Sequence, residues 1–215
     1  MRPHRVATIA GASAGAALAS FGAMAFGKRA ARSMAPMVER DGYAIPKSEQ
    51  AFCERLHRAN QLDIEASELA KERGIHARVR ELGAYLMGEH EKADYELQLT
   101  CQRLGLRLGK PVPMGATELA VVASQTANAE KLKRLHGLAF DHAYASIMLG
   151  DHDHAIGVLR LGADIFSAGH VGALCKAQLP ALFVHRQKLL ELCGLIAPSL
   201  EVPSISAEGA PQITN

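Results

Sequence analysis

Apolar residues recur every three or four positions over four long stretches of the chain, the spacing of helices that bury one face. The helices predicted from this spacing cover residues 48–73, 75–104, 129–166 and 171–195. Ser48 is placed to cap the first helix, and Gly74 and Gly169 mark tight turns. The connection over residues 109–128 is long and has room for one short helix at about residues 118–123. The pattern predicts an all-α fold, an antiparallel four-helix bundle, whose long connection runs along the bundle or forms a loop.

Two segments of the chain are near repeats, and each places a histidine in a predicted helix. LMGEHEKADYELQL carries His90, and MLGDHDHAIGVLRL carries His152. At about 100° per residue, both histidines and His185 of the fourth helix fall on the apolar face of their helix. Residues in register with them are Val79, Leu82, Leu86, Leu97 and Cys101 for His90, Asp141, Met148, Ala155 and Leu159 for His152, and Leu174, Gln178, Leu182, Leu189 and Leu192 for His185. A buried polar group there must find a hydrogen-bond partner, a carboxylate or a metal.

Each predicted helix therefore points one ionisable group towards the core. The candidates are Asp63, His90, His152 and His185, with Asp141 as a fifth. His152 and His185 each lie about 24 Å from the turn that joins their helices, at about 1.5 Å per residue. His90 lies midway along its own helix, so the imidazoles are expected to share one layer of the bundle.

Two functions fit this constellation. In one, the imidazoles bind a divalent transition metal such as Cu, Zn, Fe or Ni, with Asp141 or Asp63 as a further ligand or as the acceptor that fixes a tautomer. Met148, one turn from His152, could add a soft ligand for copper. In the other, the same groups form a closed hydrogen-bonded network in a structural or interaction protein. A carboxylate-bridged di-iron oxidase needs two ExxH pairs that face the core, and this chain does not have them. Hydrolase motifs are absent as well, so the expected role is non-catalytic.

Charge and cysteine spacing narrow the classes further. The formal net charge is +2 and the basic residues are evenly spread, which argues against a nucleic-acid partner. The four cysteines form no CxxC pair, so a zinc or redox motif is not indicated. They are expected to pack as small buried hydrophobes, with a disulfide as the alternative in an oxidising compartment.

The N-terminal segment has the pattern of an export signal. A basic start is followed by an apolar, small-residue-rich stretch, and Ala17–Ala19 and Ala23–Ala25 both fit a signal-peptidase site. Residues 1–25 are therefore predicted to be a signal peptide or an uncleaved membrane anchor, which implies a periplasmic or cell-envelope location. Residues 26–47 are expected to be a linker and residues 196–215 a disordered tail.

An ordered set of motifs carries a family resemblance. It consists of Val79 through Leu86 to Glu89–His90, Phe140–Asp141 with Tyr144, Asp151–His152, and Leu179–Pro180 followed by His185. Through these motifs, the chain from about Ser48 to Cys193 resembles the bacterial family called domain of unknown function 4142. The resemblance implies a ferritin-like helical bundle with an export signal, and it brings no established activity. The chain departs from the family pattern at Asp63, where Glu is usual, at Leu86, where Met is common, and at Glu89, where Asp is common.

Overall fold

A computed structural model describes residues 37–111 and 116–196, and most of these residues are helical. The elements in chain order are β1 (Met37–Arg40), β2 (Tyr43–Pro46), α1 (Glu49–Arg73), α2 (Ala77–Arg103), α3 (Ala116–Arg134), α4 (Gly137–Ile165) and α5 (His170–Ile196). The predicted all-α class is confirmed, apart from one small hairpin. The predicted signal peptide or anchor at residues 1–25, and the tail beyond residue 196, lie outside the described residues.

The helix boundaries follow local signals. The Ser48 hydroxyl accepts the amide of Ala51 at 3.4 Å, which caps α1 as the sequence predicts. Gly105, with φ 67°, follows the C-cap of α2 in the left-handed region that glycine adopts without a penalty. α5 runs through Pro180 and begins just after Gly169.

The expected linker over residues 26–47 is corrected in its described part, because residues 37–46 form the β1–β2 hairpin. The strands pair antiparallel with Val38 opposite Ile45, and Asp41 and Gly42 form the turn with φ values of 54° and 82°. Positive φ at both turn residues is the geometry that Asp–Gly favours in two-residue hairpins. Ile45 is 1% exposed, so the hairpin contributes to the core.

The single helix predicted over residues 129–166 is wrong, and the short helix predicted at about residues 118–123 is present but extends over Ala116–Arg134. The chain instead forms α3 and α4, which are separated at Leu135 and His136, and this makes five helices in the described part of the chain. Gly137 has a φ of 67°, outside the range of a continuous right-handed helix. This glycine is the local reason that the helical pattern is interrupted although its apolar periodicity continues.

The helices form two antiparallel pairs. α1 packs along α2 and α4 packs along α5, and the pairs meet mainly where α2 contacts α5. α1 and α4 touch much less, and α3 and β2 lie against them on that side. The arrangement is closed at the α2–α5 seam and has a wedge of space between α1 and α4.

The core consists of two apolar clusters. One contains Phe52, Leu97, Ile156 and Leu182, and the other contains residues such as Leu86, Tyr144, Met148 and Leu189. α2, α4 and α5 each pass from one cluster to the other, and the position of the change is occupied by a histidine on each helix. A polar layer therefore separates two apolar halves.

The described cysteines are free thiols, and Cys53, Cys101 and Cys175 are buried in the first cluster, which fits their expected role as small hydrophobes. Burial raises the pKa of Cys175 to about 12. Within residues 37–111 and 116–196, no helix combines the length and hydropathy needed to cross a bilayer.

Candidate metal centre

The structure brings His90, His152 and His185 together in the layer between the two apolar clusters. Their ring centroids are 5.2 to 5.5 Å apart, and the residues are 3%, 1% and 3% exposed. One nitrogen from each ring can be chosen so that all three lie within 4.8 Å of one another. Three helices thus place one imidazole each at the same point of the core. This agrees with the similar depth along the bundle that was counted from the turns.

A backbone carbonyl fixes the tautomer of His152. Its Nδ1 lies 2.8 Å from the carbonyl oxygen of Met148, one turn earlier in α4. A carbonyl oxygen only accepts hydrogen bonds, so Nδ1 carries the proton and donates it. Nε2 of the neutral ring is then left with an unprotonated lone pair.

His90 is held in the same way by a side-chain amide. Its Nδ1 lies 3.2 Å from Oδ1 of Asn60 on α1, an oxygen that accepts, so Nδ1 donates and Nε2 carries the lone pair. The Nε2 atoms of His90 and His152 are 3.3 Å apart. With these tautomers, two nitrogen lone pairs face each other at hydrogen-bond distance, an arrangement that a positively charged centre between or beside them would stabilise.

His185 completes the site without a hydrogen-bond partner in the part of the chain that the structure describes. Both of its ring nitrogens are buried and lack a hydrogen bond among the described residues. The nearest acid is Glu89, whose Oε2 is 3.7 Å from Nε2, beyond hydrogen-bond distance. The ring of Tyr85 packs against His185 edge-on, with centroids 5.6 Å apart. An orphaned buried polar group costs about 1–3 kcal/mol.

Burial sets the protonation of the imidazoles. It lowers the pKa of His90 to about 4 and that of His185 to about 3, and it also lowers the pKa of His152. The neighbouring rings add to the lowering for His185 because a second positive charge there would be repelled. The three rings are therefore neutral near pH 7, the form that binds metals.

Asp63 lies beside the histidines, and Asp151 immediately precedes His152 in α4. Asp63 is 9% exposed, and its Oδ2 is 3.6 Å from Nε2 of His90. Burial raises the pKa of Asp63 to about 6, and burial together with the charge of Asp63 raises the pKa of Asp151 to about 7. Asp63 is thus the acid of the predicted set that the fold places next to the centre.

The comparisons with known proteins agree with this architecture. The family model described as domain of unknown function (DUF4142) matches residues 35–192. The chain belongs to the DUF4142 family. All three histidines and Asp63 lie inside the matched region, so the centre is part of the DUF4142 domain.

A solved structure shares the fold of this DUF4142 domain. A crystal structure of a DUF305 fragment from Deinococcus radiodurans is similar with a TM-score of 0.59 and 15% sequence identity. The similarity covers 70% of this chain and 99% of that fragment. At this identity it shows the fold alone. No curated protein matches the sequence.

Asp141, the fifth predicted candidate of the DUF4142 domain, is placed elsewhere. Its two carboxylate oxygens accept the backbone amides of Ile75 and His76, at 3.1 and 2.8 Å, in the turn between α1 and α2. It precedes His152 by eleven residues of α4, which is about 16 Å along a helix. The prediction of Asp141 as a ligand is therefore corrected, because this residue caps a turn away from the histidines.

Asp141→Asn is expected to lower the free energy of unfolding by about 2 kcal/mol, because asparagine replaces one of the two acceptor oxygens with an NH2 group that cannot accept the backbone amide. The control is Asp164→Asn on the same helix, whose exposed carboxylate pairs with Arg40 and whose loss should cost less than about 1 kcal/mol. Urea denaturation of both variants measures the difference. Equal stability of the two would mean that Asp141 does not cap the turn.

Apolar periodicity alone does not indicate that Asn60 and Glu89 approach the imidazoles, or that Asp151 lies close to Asp63. Asn60 lies three residues before Asp63 on α1, so it is on an adjacent part of the same helical face. Glu89 and Asp151 each precede a histidine in the repeated acid–His motif. That repeat was the available signal that acids accompany the imidazoles.

Proposed function

We propose that the protein binds one divalent transition-metal ion at the histidine centre, through Nε2 of His90, Nε2 of His152 and one ring nitrogen of His185. The observation that carries this proposal is the pair of facing Nε2 atoms, 3.3 Å apart, beside a third imidazole that makes no hydrogen bond to any described residue. A cation on which the three lone pairs converge would satisfy all of them at once.

A proton is a poor substitute for the metal at this position. Burial lowers the pKa of His90 to about 4 and that of His185 to about 3, so an imidazolium is not retained near neutral pH. Protons compete only weakly with a metal ion at such rings, because the rings are already neutral near pH 7.

The donor set favours zinc or copper, with nickel and iron also compatible. Three neutral imidazoles suit these ions, and the carboxylate of Asp63 beside His90 offsets part of the positive charge. The Nδ1 hydrogen bonds of His90 and His152 orient the rings, as outer partners commonly do at metal sites. These contacts support binding, and the role we propose is non-catalytic.

A closed structural network is the second candidate, and the hydrogen bonds of His90 and His152 favour it. In that function the layer only links helices within an envelope structural or interaction protein. His185 counts against it, because a network that leaves both nitrogens of one member unsatisfied is less stable than an apolar core.

The test is elemental analysis of residues 26–215, purified without chelator, alongside the His90→Ala/His152→Ala variant. We expect close to one equivalent of metal in the parent and none in the variant, and a melting temperature that rises on metal addition only in the parent. His136→Ala/His170→Ala is the matched control, because it removes two exposed histidines and should leave the metal content unchanged.

The same experiment can refute the proposed metal binding. If the parent contains no metal, and Zn, Cu, Ni and Fe(II) each leave its melting temperature unchanged, the metal function is refuted. The structural candidate predicts instead that the double variant loses stability without any metal effect.

We further propose that the protein is exported, and that α1, α2, α4 and α5 form a ferritin-like bundle with α3 in the long connection. The basic and apolar N-terminal pattern supports export, and the small-residue sites within residues 1–25 support cleavage over retention as an anchor. N-terminal sequencing of the protein from a periplasmic fraction tests this, and an intact Met1 in the cytoplasm would contradict it.

A further inference from the structure

A cavity of about 190 Å³ lies in the wedge between α1 and α4, covered by α3 and the hairpin. Most of its wall is apolar, with contributions from Ile45, Phe52, Leu56, Val121 and Val158. A cavity of about 150 Å³ holds benzene, so this one has room for an aromatic ring with a short side chain.

Two carboxylates face this apolar space. Asp63 on α1 and Asp151 on α4 both line the cavity. Among the described residues, neither carboxylate accepts a hydrogen bond, and no lysine or arginine lies within ion-pairing distance of either one. The contact of Asp63 with the His90 ring at 3.6 Å brings no positive charge, since that ring is neutral in the metal-free protein.

The arginines that line the cavity are paired with other acids. Arg55 forms an ion pair with Glu118 of α3, and Arg58 lies 3.9 Å from Glu65. His154, on the same wall, packs against the ring of Tyr43 with centroids 5.7 Å apart. The cavity therefore combines an apolar body with an excess of negative charge at the two aspartates.

We propose that this cavity binds a small organic cation, an apolar body that carries a primary ammonium group, with the ammonium between the carboxylates of Asp63 and Asp151. Such a ligand buries its apolar part against the walls and supplies the hydrogen-bond donors and the positive charge that both aspartates lack. A hydrated inorganic cation would gain nothing from the apolar walls. The two aspartates also belong to no group of three potential metal ligands in the described part of the chain.

Binding of an organic cation is separate from the proposed metal binding, because the cavity is a different space from the histidine centre. Among the residues that carry the two proposals, only Asp63 is close to both sites. The titration is therefore made on protein treated with a chelator, with 2-phenylethylammonium as the probe. 2-Phenylethanol, which has the same ring and chain length and no charge, is the matched ligand. Calorimetry in mildly alkaline buffer keeps the carboxylates ionised and the amine protonated.

We expect the ammonium probe to bind at least about tenfold more tightly than the alcohol, the usual contribution of a charge-assisted hydrogen bond. Asp151→Asn should remove this preference and leave a folded protein, because it removes a half-buried negative charge. Asp153→Asn is the control on the same helix; that carboxylate is exposed, pairs with Arg186 and lies outside this cavity, so the preference should remain.

A second variant tests the location. Ala155→Leu, one turn from Asp151 on the cavity wall, should reduce binding of both probes by filling the space. Equal affinity for the ammonium and the alcohol would overturn the proposal, as would an ammonium preference that survives Asp151→Asn. Absence of binding by either probe would also overturn it, whatever the metal content of the protein proves to be.

Discussion

Replacing His185 with leucine is expected to stabilise the metal-free protein and to abolish the proposed metal binding. Leucine fills a similar volume and removes two buried nitrogens that have no hydrogen-bond partner within residues 37–111 and 116–196, so the free energy of unfolding should rise by about 1–3 kcal/mol. Loss of an outer partner alone weakens metal sites about 10–100-fold, so loss of a ligand should weaken this one by more than about 100-fold.

Urea denaturation of the metal-free proteins and a metal titration by calorimetry measure the two effects. His170→Leu is the control, since this histidine is exposed at the start of α5 and should change stability by less than about 0.5 kcal/mol. If His185→Leu destabilises the metal-free protein, His185 has a stabilising partner, and its nitrogens give no support to metal binding.

The pH dependence gives this variant a second signature. The pKa of His185 is lowered from 6.5 to about 3 by burial, so its neutral form is favoured in the folded state. The associated stability is present above pH 6.5 and is lost as the pH falls from 6.5 towards 3, because the unfolded chain takes up a proton first. The advantage of the leucine variant should widen in that window, by at most about 1.4 kcal/mol per pH unit.

Gly83→Ala is expected to cost about 3 kcal/mol, the upper part of the usual range for overpacking. A Cβ at this position would lie 2.7 Å from the backbone nitrogen of Lys71 and 2.8 Å from the carbonyl oxygen of Ser67. These are backbone atoms of α1, so relief requires the α1–α2 pair to separate. The separation would also disturb the 3.3 Å contact between the Ser67 and Tyr144 hydroxyls in the core.

Gly88→Ala is the matched control, on the same helix and with nothing within 4 Å of the added carbon. Alanine is the better helix former, so this variant should gain about 0.5–1 kcal/mol. Thermal and urea unfolding of the two variants should give changes of opposite sign. Stabilisation by both substitutions would mean that α1 and α2 are not in close contact at Gly83.

Apolar periodicity predicted the elements that bury a continuous stripe. α1 and α5 match their predicted ranges closely, because Ser48 and Gly169 are strong local signals and the stripes between are uninterrupted. The hairpin was missed although Asp41–Gly42 is a turn signal, because the strands beside it are only four residues long. The break before Gly137 was missed because the apolar spacing continues across it.

At the histidine site, apolar periodicity predicts the direction in which a side chain points from its helix. It does not predict which side chains of other helices lie at the same height along the bundle. His90, His152 and His185 meet because their depths agree, and depth can be counted from the turns. Asp141 shares the face of His152 and still lies about three turns away, where two amides need an acceptor. The cavity depends on how α3 lies over α1 and α4, which no local pattern encodes.

The position of the histidine layer between the two apolar clusters bears on cooperativity. α2, α4 and α5 each belong to both halves of the core, and each crosses from one to the other at its histidine. Without a cation, the histidine layer contributes little stabilising contact between the two apolar clusters. An ion bound in the layer would cross-link three helices. Neither half of the core could then unfold without breaking bonds between the ion and its histidine ligands.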